Sequence, residues 1–167
     1  MFAKDLQNYL SRYISFPTVS ANSVLDFSNT LANQAEDLGF QVSIFDSSPT
    51  KQNIVAQIGP MLTIDTDSPS LCEGISFCGH MDVVPVEGQN WNSDPFSLHI
   101  DNNRFIGRGT CDMKGFFATT MLALKDFDLT KLKKNITLVW THDEEVGCLG
   151  AQSLVQQVRN NGLCLPQ

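Results

Sequence analysis

The chain has 167 residues, of which 42% are hydrophobic and 17% charged, and its net charge is -7. This length and composition predict a globular protein with a single core. The acidic balance argues against a nucleic-acid partner, because phosphate binding requires a concentrated basic face and no basic run extends beyond Lys131, Lys133 and Lys134. No stretch approaches ~18 uninterrupted apolar residues, so we expect neither a membrane span nor a membrane partner.

The cysteines indicate the compartment. Five are scattered along the chain without a CxxC pair, at Cys72, Cys78, Cys111, Cys148 and Cys164. An odd, dispersed set is typical of reduced thiols and not of a disulfide framework. The first 16 residues mix charged and polar residues and contain no apolar signal core. Both features predict a cytoplasmic protein.

The first third of the chain predicts two helices followed by a hairpin. Apolar residues at helical spacing indicate a helix over residues 4–15, which Phe16-Pro17 should end. A polar entry at 20–23 leads into a second helix, whose apolar stripe ends before Gly39. Two strands are predicted at 40–45 and 53–58. A turn over 46–52 would join them as a hairpin.

The remainder alternates strands with helices. Residues 59–73 are rich in Pro, Ser, Thr and acids, which indicates a surface loop with a short extended segment at 61–64. The later elements, in order, are a buried strand at 75–78, a long loop at 86–97, two short strands within 98–106 around the turn at 101–103, a helix at 115–125, a buried strand at 135–141 and a helix that opens at 147–150 and runs to 158. This β-loop-α-β order predicts a layered α/β domain with a mixed, partly parallel sheet.

Acidic motifs recur at three junctions between predicted strands and helices. His80 and Asp82 follow the strand at 75–78, Asp112 precedes the helix at 115–125, and Glu144 and Glu145 follow the strand at 135–141. Strand ends of an α/β sheet meet at one rim, where ligand sites collect. Imidazole and carboxylate groups are zinc ligands, so a shared metal site is one interpretation.

Each motif also has an ordinary structural interpretation. His80 would be a loop histidine bonded to a nearby acid, Asp112 would cap the following helix, and the Glu pair would be a solvated acidic turn. In an extended backbone the side chains of Glu144 and Glu145 would point to opposite sides, so one could bind metal while the other faced water. In a dinuclear site one carboxylate must bridge two ions ~3.5–4 Å apart, and Asp112 is the best candidate.

Three strings in these regions resemble a known family: GHMDVVPVEGQNWNSDPF, GRGTCDMKGF and THDEEVGCLGA. They are similar to the signatures of the two-metal aminoacylase and carboxypeptidase family, which includes succinyl-diaminopimelate desuccinylase. The wording is closest to the members that deacetylate N-acetylornithine. Met81 stands where the commonest family wording has Thr, at a position that is not a ligand.

The resemblance implies a role for each site residue. His80, Asp112 and Glu145 correspond to zinc ligands, with Asp112 bridging two Zn²⁺ ions that Co²⁺ could replace. Asp82 corresponds to the acid that orients the histidine and Glu144 to the general base. The resemblance also implies a zinc-peptidase-like fold and a cis peptide after Asp112.

The implied reaction is hydrolysis of an N-acyl amino acid, with N-acetylornithine yielding ornithine and acetate, as in arginine biosynthesis. Two metal ions would lower the pKa of a water molecule toward ~7. Glu144 would take its proton and pass it to the leaving amine.

The family also sets an expectation about domain organisation. Its members are roughly twice this length, so residues 1–167 would form the N-terminal part of a metallohydrolase catalytic domain. The remaining ligands and the domain that forms a homodimer would lie outside the chain. The alternative is a non-catalytic piece that binds metal weakly or only contacts a partner, and on either interpretation the isolated chain is expected to have little activity.

The remaining candidates are weaker. His99 and His142 are expected to be structural or surface residues. Cys111 and Cys148 lie beside the acidic motifs and could bind zinc, but small buried thiols are the simpler interpretation. Trp91 is expected to anchor its loop, although it could line a substrate entrance.

Overall fold

A computed structural model describes residues 2–60 and 74–160 of the chain. The predicted segment at 61–64 therefore lies outside the described residues. The helices are α1 Phe2–Ile14, α2 Leu25–Asp37, α3 Lys114–Asp126 and α4 Leu149–Asn160. The strands are β1 Gln41–Ser48, β2 Lys51–Ile58, β3 Gly74–His80, β4 His99–Asp101, β5 Arg104–Ile106 and β6 Asn135–Thr141. None of the described helices is both long and apolar enough to cross a membrane.

Four strands form the main sheet in the order β1-β2-β6-β3. β1 pairs with β2 and β2 with β6 in antiparallel fashion, whereas β3 and β6 are parallel. The short strands β4 and β5 form a separate antiparallel pair. The mixed, partly parallel sheet confirms the predicted α/β class.

Helices cover both faces of this sheet. Alternate side chains of β2 and β6 point to opposite faces because a strand has a period of two. One set packs in the main core with residues of α1, α2 and α3; its strand members are Ile54, Ala56, Ile136, Leu138 and Trp140. The other face carries a smaller cluster that includes Leu154 and Val158 of α4, with Phe45, Val55 and Val139. The fold is therefore a sheet between two helical layers.

Two predicted elements were wrong in detail. The segment 46–52 is not a turn, because β1 continues to Ser48 and β2 begins at Lys51, so that a tight two-residue connection joins them. The strand that precedes His80 is not buried: Ile75 is 52% exposed. Among the described residues β3 has only β6 as a neighbour, which leaves much of its surface open.

Helix α4 packs closely, at Gly150, against the residue that follows β6 and against a side chain of β2. A Cβ atom at this position would lie 2.3 Å from the carbonyl oxygen of His142 and 2.7 Å from Oδ1 of Asn53. The Gly150 N–H donates to that same carbonyl at 3.1 Å. Only glycine therefore allows this approach, which fixes the chain just before the Glu pair.

We expect Gly150→Ala to lower the free energy of unfolding by about 3 kcal/mol, because backbone atoms must move to admit the methyl group. Urea denaturation of the two proteins measures this difference. Gln152→Ala, two residues along the same helix at an exposed site, is the control and should change stability by less than about 0.5 kcal/mol. A similar effect of the two substitutions would contradict the close approach.

Candidate metal centre

The sheet register brings the first and third junctions together. His80 is the last residue of β3 and pairs with Thr141, the last residue of the parallel strand β6. The Met81 N–H also donates to the Thr141 carbonyl at 2.8 Å. Glu144 and Glu145 follow the end of β6 after His142 and Asp143, so both motifs lie at one rim, as the sequence predicted.

The second junction reaches this rim because α3 begins close to β3. A Cβ atom on Gly79 would lie only 3.1 Å from Cε of Met113 and from Cζ of Phe117. Asp112 Oδ1 lies 2.9 Å from His80 Nε2. Asp112 is not a helix cap: the N-cap residue of α3 is Met113, which makes no side-chain cap bond. The peptide bond between Asp112 and Met113 is cis, as the resemblance implied.

The His80 ring is held so that Nε2 faces the carboxylates. Nδ1 lies 3.0 Å from the backbone oxygen of Asp82 and 3.5 Å from its Oδ1, whereas Nε2 faces Asp112 and lies 3.8 Å from Glu144 Oε2. Burial alone would lower the pKa of His80, but the hydrogen bonds to Asp82 and Asp112 raise it to about 9. The ring is therefore cationic without metal. After loss of the Nε2 proton, that nitrogen becomes a ligand and Nδ1–H keeps its acceptor.

Asp82 is fully buried and does more than orient His80. Its carboxylate accepts hydrogen bonds from Ser20 Oγ at 2.7 Å, from the Glu144 N–H at 3.0 Å and from the Glu145 N–H at 3.2 Å. Burial would raise the pKa of Asp82, but its bonds to His80, Ser20 and the two backbone N–H groups lower it to about 2. Asp82 therefore joins the histidine motif to the Glu motif.

Glu144 and Glu145 do not point to opposite sides, so that prediction was wrong. One ligand atom from each of them and one from His80 all lie within 4.8 Å of one another. The backbone here is not extended: Asp143 has φ +52°, and the N–H groups of Gly147 and Cys148 both donate to the Glu144 carbonyl at 3.0 Å. Burial, followed by the nearby charge of Asp112, raises the pKa of Glu145.

The donor set fits a metal ion. One imidazole nitrogen and the carboxylates of Glu144 and Glu145 converge within 4.8 Å, while Asp112 lies against the His80 ring but does not belong to that group. Imidazole and carboxylate are the ligand types that zinc and similar ions prefer. The carboxylates repel one another without a cation, which gives a physical reason for metal binding. The structure thus brings together His80, Asp82, Asp112, Glu144 and Glu145, while the division of roles among them stays a prediction.

The weaker candidates lie outside this cluster. His99 is exposed and His142 is buried, in keeping with surface and structural roles. Cys111 and Cys148 are exposed, so the prediction of buried thiols was wrong. Cys111 lies in the turn before α3 and Cys148 in the bend before α4, where its Sγ lies 3.7 Å from Glu144 Oε1. Trp91 is half-buried and stacks with Arg108, whose Cζ lies 5.2 Å from its ring centroid. This contact fits an anchoring role.

We expect Asp82 to make the metal-free fold sensitive to acid. Because the folded state lowers its pKa from 3.8 to about 2, Asp82 contributes about 2 kcal/mol of stability above pH 3.8, and this is lost as the pH falls through 2. Urea denaturation in EDTA between pH 6 and pH 2 measures the free energy of unfolding. The difference in this free energy between wild type and Asp82→Asn isolates the contribution of the Asp82 carboxylate. An unchanged difference across that range would contradict the low pKa.

Comparison with known families decides the identity of the fold. The sequence profile described as "Peptidase family M20/M25/M40" matches residues 76–164, which is just over half of the chain and spans all three acidic motifs. The chain belongs to peptidase family M20/M25/M40. The resemblance seen in the three strings is thereby confirmed.

Curated relatives of this M20 chain include two enzymes named acetylornithine deacetylase. The Vibrio atlanticus enzyme is 39% identical over 126 residues, which are 75% of this chain and 31% of that protein. The Shigella sonnei enzyme is 37% identical over 147 residues, covering 83% of this chain and 36% of that protein. The chain thus spans about a third of the length of these relatives.

A solved structure supports the fold independently. Human carnosine dipeptidase 1 matches with a TM-score of 0.75 and 22% sequence identity. The match covers 95% of this chain and 36% of that protein. At this level of identity the likeness concerns the fold alone, and it agrees with a zinc-peptidase-like α/β domain.

Proposed function

We propose that this M20 chain supplies catalytic residues for the metal-dependent hydrolysis of an N-acyl amino acid. The proposed substrate within this class is N-acetylornithine. The observation that carries the proposal is the cluster in which His80, Glu144 and Glu145 offer donor atoms within 4.8 Å of one another, with Asp112 2.9 Å from the His80 ring. The choice of substrate is supported by the names of the curated relatives.

His80, Asp112 and Glu145 would hold the metal, two zinc ions in a complete site or cobalt as a substitute. Bound metal would supply a water molecule of lowered pKa and polarise the amide carbonyl. Asp82 fixes the tautomer of His80 through the contacts at Nδ1, so that Nε2 is directed toward the other carboxylates. Its two bonds to the Glu144 and Glu145 N–H groups fix the backbone that carries those side chains.

Glu144 is the proposed proton carrier. Its side chain is 44% exposed and its Oε2 lies 3.8 Å from His80 Nε2, so it belongs to the donor cluster and also faces solvent. A carboxylate in this position can accept a proton from water and later donate it to the amine that leaves the amide. With N-acetylornithine, the bond broken is the amide C–N bond and the products are acetate and ornithine.

The wider setting of the reaction belongs to the same proposal. A small N-acyl amino acid is the proposed partner, and the whole enzyme is proposed to act as a cytoplasmic homodimer. The cytoplasmic location is supported by the free, exposed thiols of Cys78, Cys111 and Cys148, which suit a reducing compartment. The dimer follows only from the family resemblance.

A second candidate is a chain that binds metal without turnover. Among residues 2–60 and 74–160, the donors that converge are those of His80, Glu144 and Glu145, with Asp112 2.9 Å from His80 Nε2. Two ions that share one bridging carboxylate each need further ligands. The isolated chain is therefore proposed to bind metal and to depend on additional residues for catalysis.

A chimeric enzyme tests the proposed function. This chain would replace the matching segment of the Shigella sonnei acetylornithine deacetylase, and acetate release from N-acetylornithine would be measured after circular dichroism and metal analysis had established a folded, loaded protein. Turnover within about tenfold of the parent enzyme is expected, with N-succinyl-diaminopimelate and carnosine as comparison substrates. A folded, metal-loaded chimera that hydrolyses none of the three, or prefers carnosine, would contradict the proposed activity or its substrate.

A further inference from the structure

Lys51 links the segments that carry the metal centre. It is the first residue of β2, and its side chain is only 12% exposed. Its Nζ donates to Oδ1 of Asp143 at 2.6 Å and to the backbone oxygen of Ser20. Asp143 immediately precedes Glu144, and Ser20 Oγ donates to the Asp82 carboxylate. One ammonium group therefore contacts both sides of the site from outside the donor cluster.

The segment that contains Ser20 is hydrogen-bonded to the histidine motif. Residues 18–20 run beside residues 81–83, with a parallel bridge between Val19 and Val83. The Val83 N–H donates to the Thr18 carbonyl at 3.0 Å, and Thr18 Oγ1 donates to the Met81 carbonyl at 2.7 Å. Movement of this short segment would therefore move Asp82 and the acceptors around His80.

The Asp143 side holds an unfavourable backbone conformation. Asp143 has φ +52°, in the left-handed region that residues other than Gly, Asn and Asp rarely adopt. Its Oδ1 is paired with Lys51, and its Oδ2 lies 3.1 Å from His142 Nδ1. This conformation turns the chain so that both Glu144 and Glu145 face His80. A largely shielded cation that fixes the Asp143 carboxylate thus fixes the direction of the next two side chains.

We propose that Lys51 is a positioning residue, which aligns Glu144 and Glu145 with the His80 motif through its contacts with Asp143 and Ser20. The inference rests on the proposed metal site for its functional consequence, but its structural part holds without metal. The geometric effect opposes a simple charge effect, since removing a cation would by itself strengthen metal binding. Removal of Lys51 leaves the Asp143 carboxylate unpaired, whereas removal of the Asp143 charge leaves Lys51 unpaired, so the two changes alter the local charge in opposite directions. Weaker metal binding after both changes would therefore identify loss of alignment.

The first readout needs no metal. In the 167-residue chain with EDTA, Lys51→Met is expected to raise the hydrogen-exchange rates of the Glu144 and Glu145 amides on the order of tenfold, because their bonds to Asp82 open more often. The amide of Leu138 in the centre of β6 should exchange as in wild type. Asp143→Asn should reproduce the effect, since Asn also tolerates the left-handed backbone but lacks the charge. Lys51→Arg should restore most of the protection.

The second readout is the dissociation constant for Co²⁺, measured by calorimetry at a temperature where every variant is folded. Lys51→Met and Asp143→Asn are expected to weaken binding by about tenfold, and Lys51→Arg by much less. Lys131→Met is the matched control, because Lys131 pairs with Asp128 at 2.8 Å on the open surface. It should change neither readout.

The outcomes separate the two proposals. Unchanged exchange at Glu144 and Glu145, or tighter Co²⁺ binding by Lys51→Met, would overturn the positioning role. A lower melting temperature with unchanged exchange and unchanged Co²⁺ affinity would overturn it as well, since Lys51 would then only stabilise the fold. If wild type binds no Co²⁺ while Lys51→Met still raises exchange, the positioning role stands and the proposed metal-dependent function fails.

Discussion

Glu144→Gln in the chimeric enzyme is expected to lower kcat by about 10²–10⁴-fold and to leave the metal content near that of the unmodified chimera. An amide at this position keeps the size of the side chain but can neither accept the proton from water nor return it to the leaving amine. The bond from the Glu144 N–H to Asp82 is made by the backbone and survives the substitution. Acetate release and metal analysis on the same preparations measure the two quantities.

Glu145→Gln is the matched control, with the same chemical change at the adjacent residue. Glu145 is a proposed ligand, so this substitution should lower metal content and lose activity in proportion to it. Added zinc should restore part of the activity of Glu145→Gln and none of that of Glu144→Gln. The reverse pattern would require the roles of the two residues to be exchanged, because both lie within reach of His80.

Asp82→Ala is expected to lower the free energy of unfolding of the 167-residue chain by about 3 kcal/mol or more. The substitution removes the acceptor for the Glu144 N–H, the Glu145 N–H and the Ser20 hydroxyl, and takes away the anion that faces His80. All of these contacts form around a carboxylate with no exposed surface, so water cannot readily replace it. Urea denaturation at pH 7 gives the measurement.

Asp94→Ala provides the comparison for this stability prediction. Asp94 also accepts a backbone N–H, from Phe96 at 2.9 Å, but it does so in an exposed loop. Its replacement should cost about 1 kcal/mol or less, since water can satisfy the freed N–H. If both substitutions destabilised the chain equally, Asp82 would not be the central acceptor of the site.

Local patterns in the sequence were sufficient to predict the order of the described strands and the rim, but not the extent of β1 or the exposure of β3. The predicted strand at 135–141 coincides with β6, whose β-branched and aromatic residues are typical of strands, and the parallel pairing of β3 with β6 follows from the β-loop-α-β order. The end of β1 was missed because its last residues are polar and exposed, so their composition is that of a turn although their backbone is paired. The exposure of β3 depends on which strands lie beside it in the sheet, and hydrophobic periodicity carries no information about that.

The site was predictable as a set of residue types at strand ends, but its connections were not. Ser20 lies 62 residues before Asp82, and Lys51 lies 92 residues before Asp143. The spacing of residues in the sequence does not indicate such distant contacts. Ser20 and Lys51 both lie in polar segments, which were predicted to be the entry to a helix and a turn. The direction of Glu145 was missed for a related reason, since it depends on the left-handed backbone at Asp143, which residue type permits but does not require.

Zinc titration of the 167-residue chain by calorimetry tests most directly whether the three junctions form one metal centre. Wild type is expected to bind about one ion per chain through the clustered donors. His80→Ala should weaken binding by well over about tenfold, whereas His99→Ala, at an exposed position of β4, should bind as wild type does. Equal zinc affinity in wild type, His80→Ala and His99→Ala would show that the ion binds elsewhere and would contradict a metal centre at this rim.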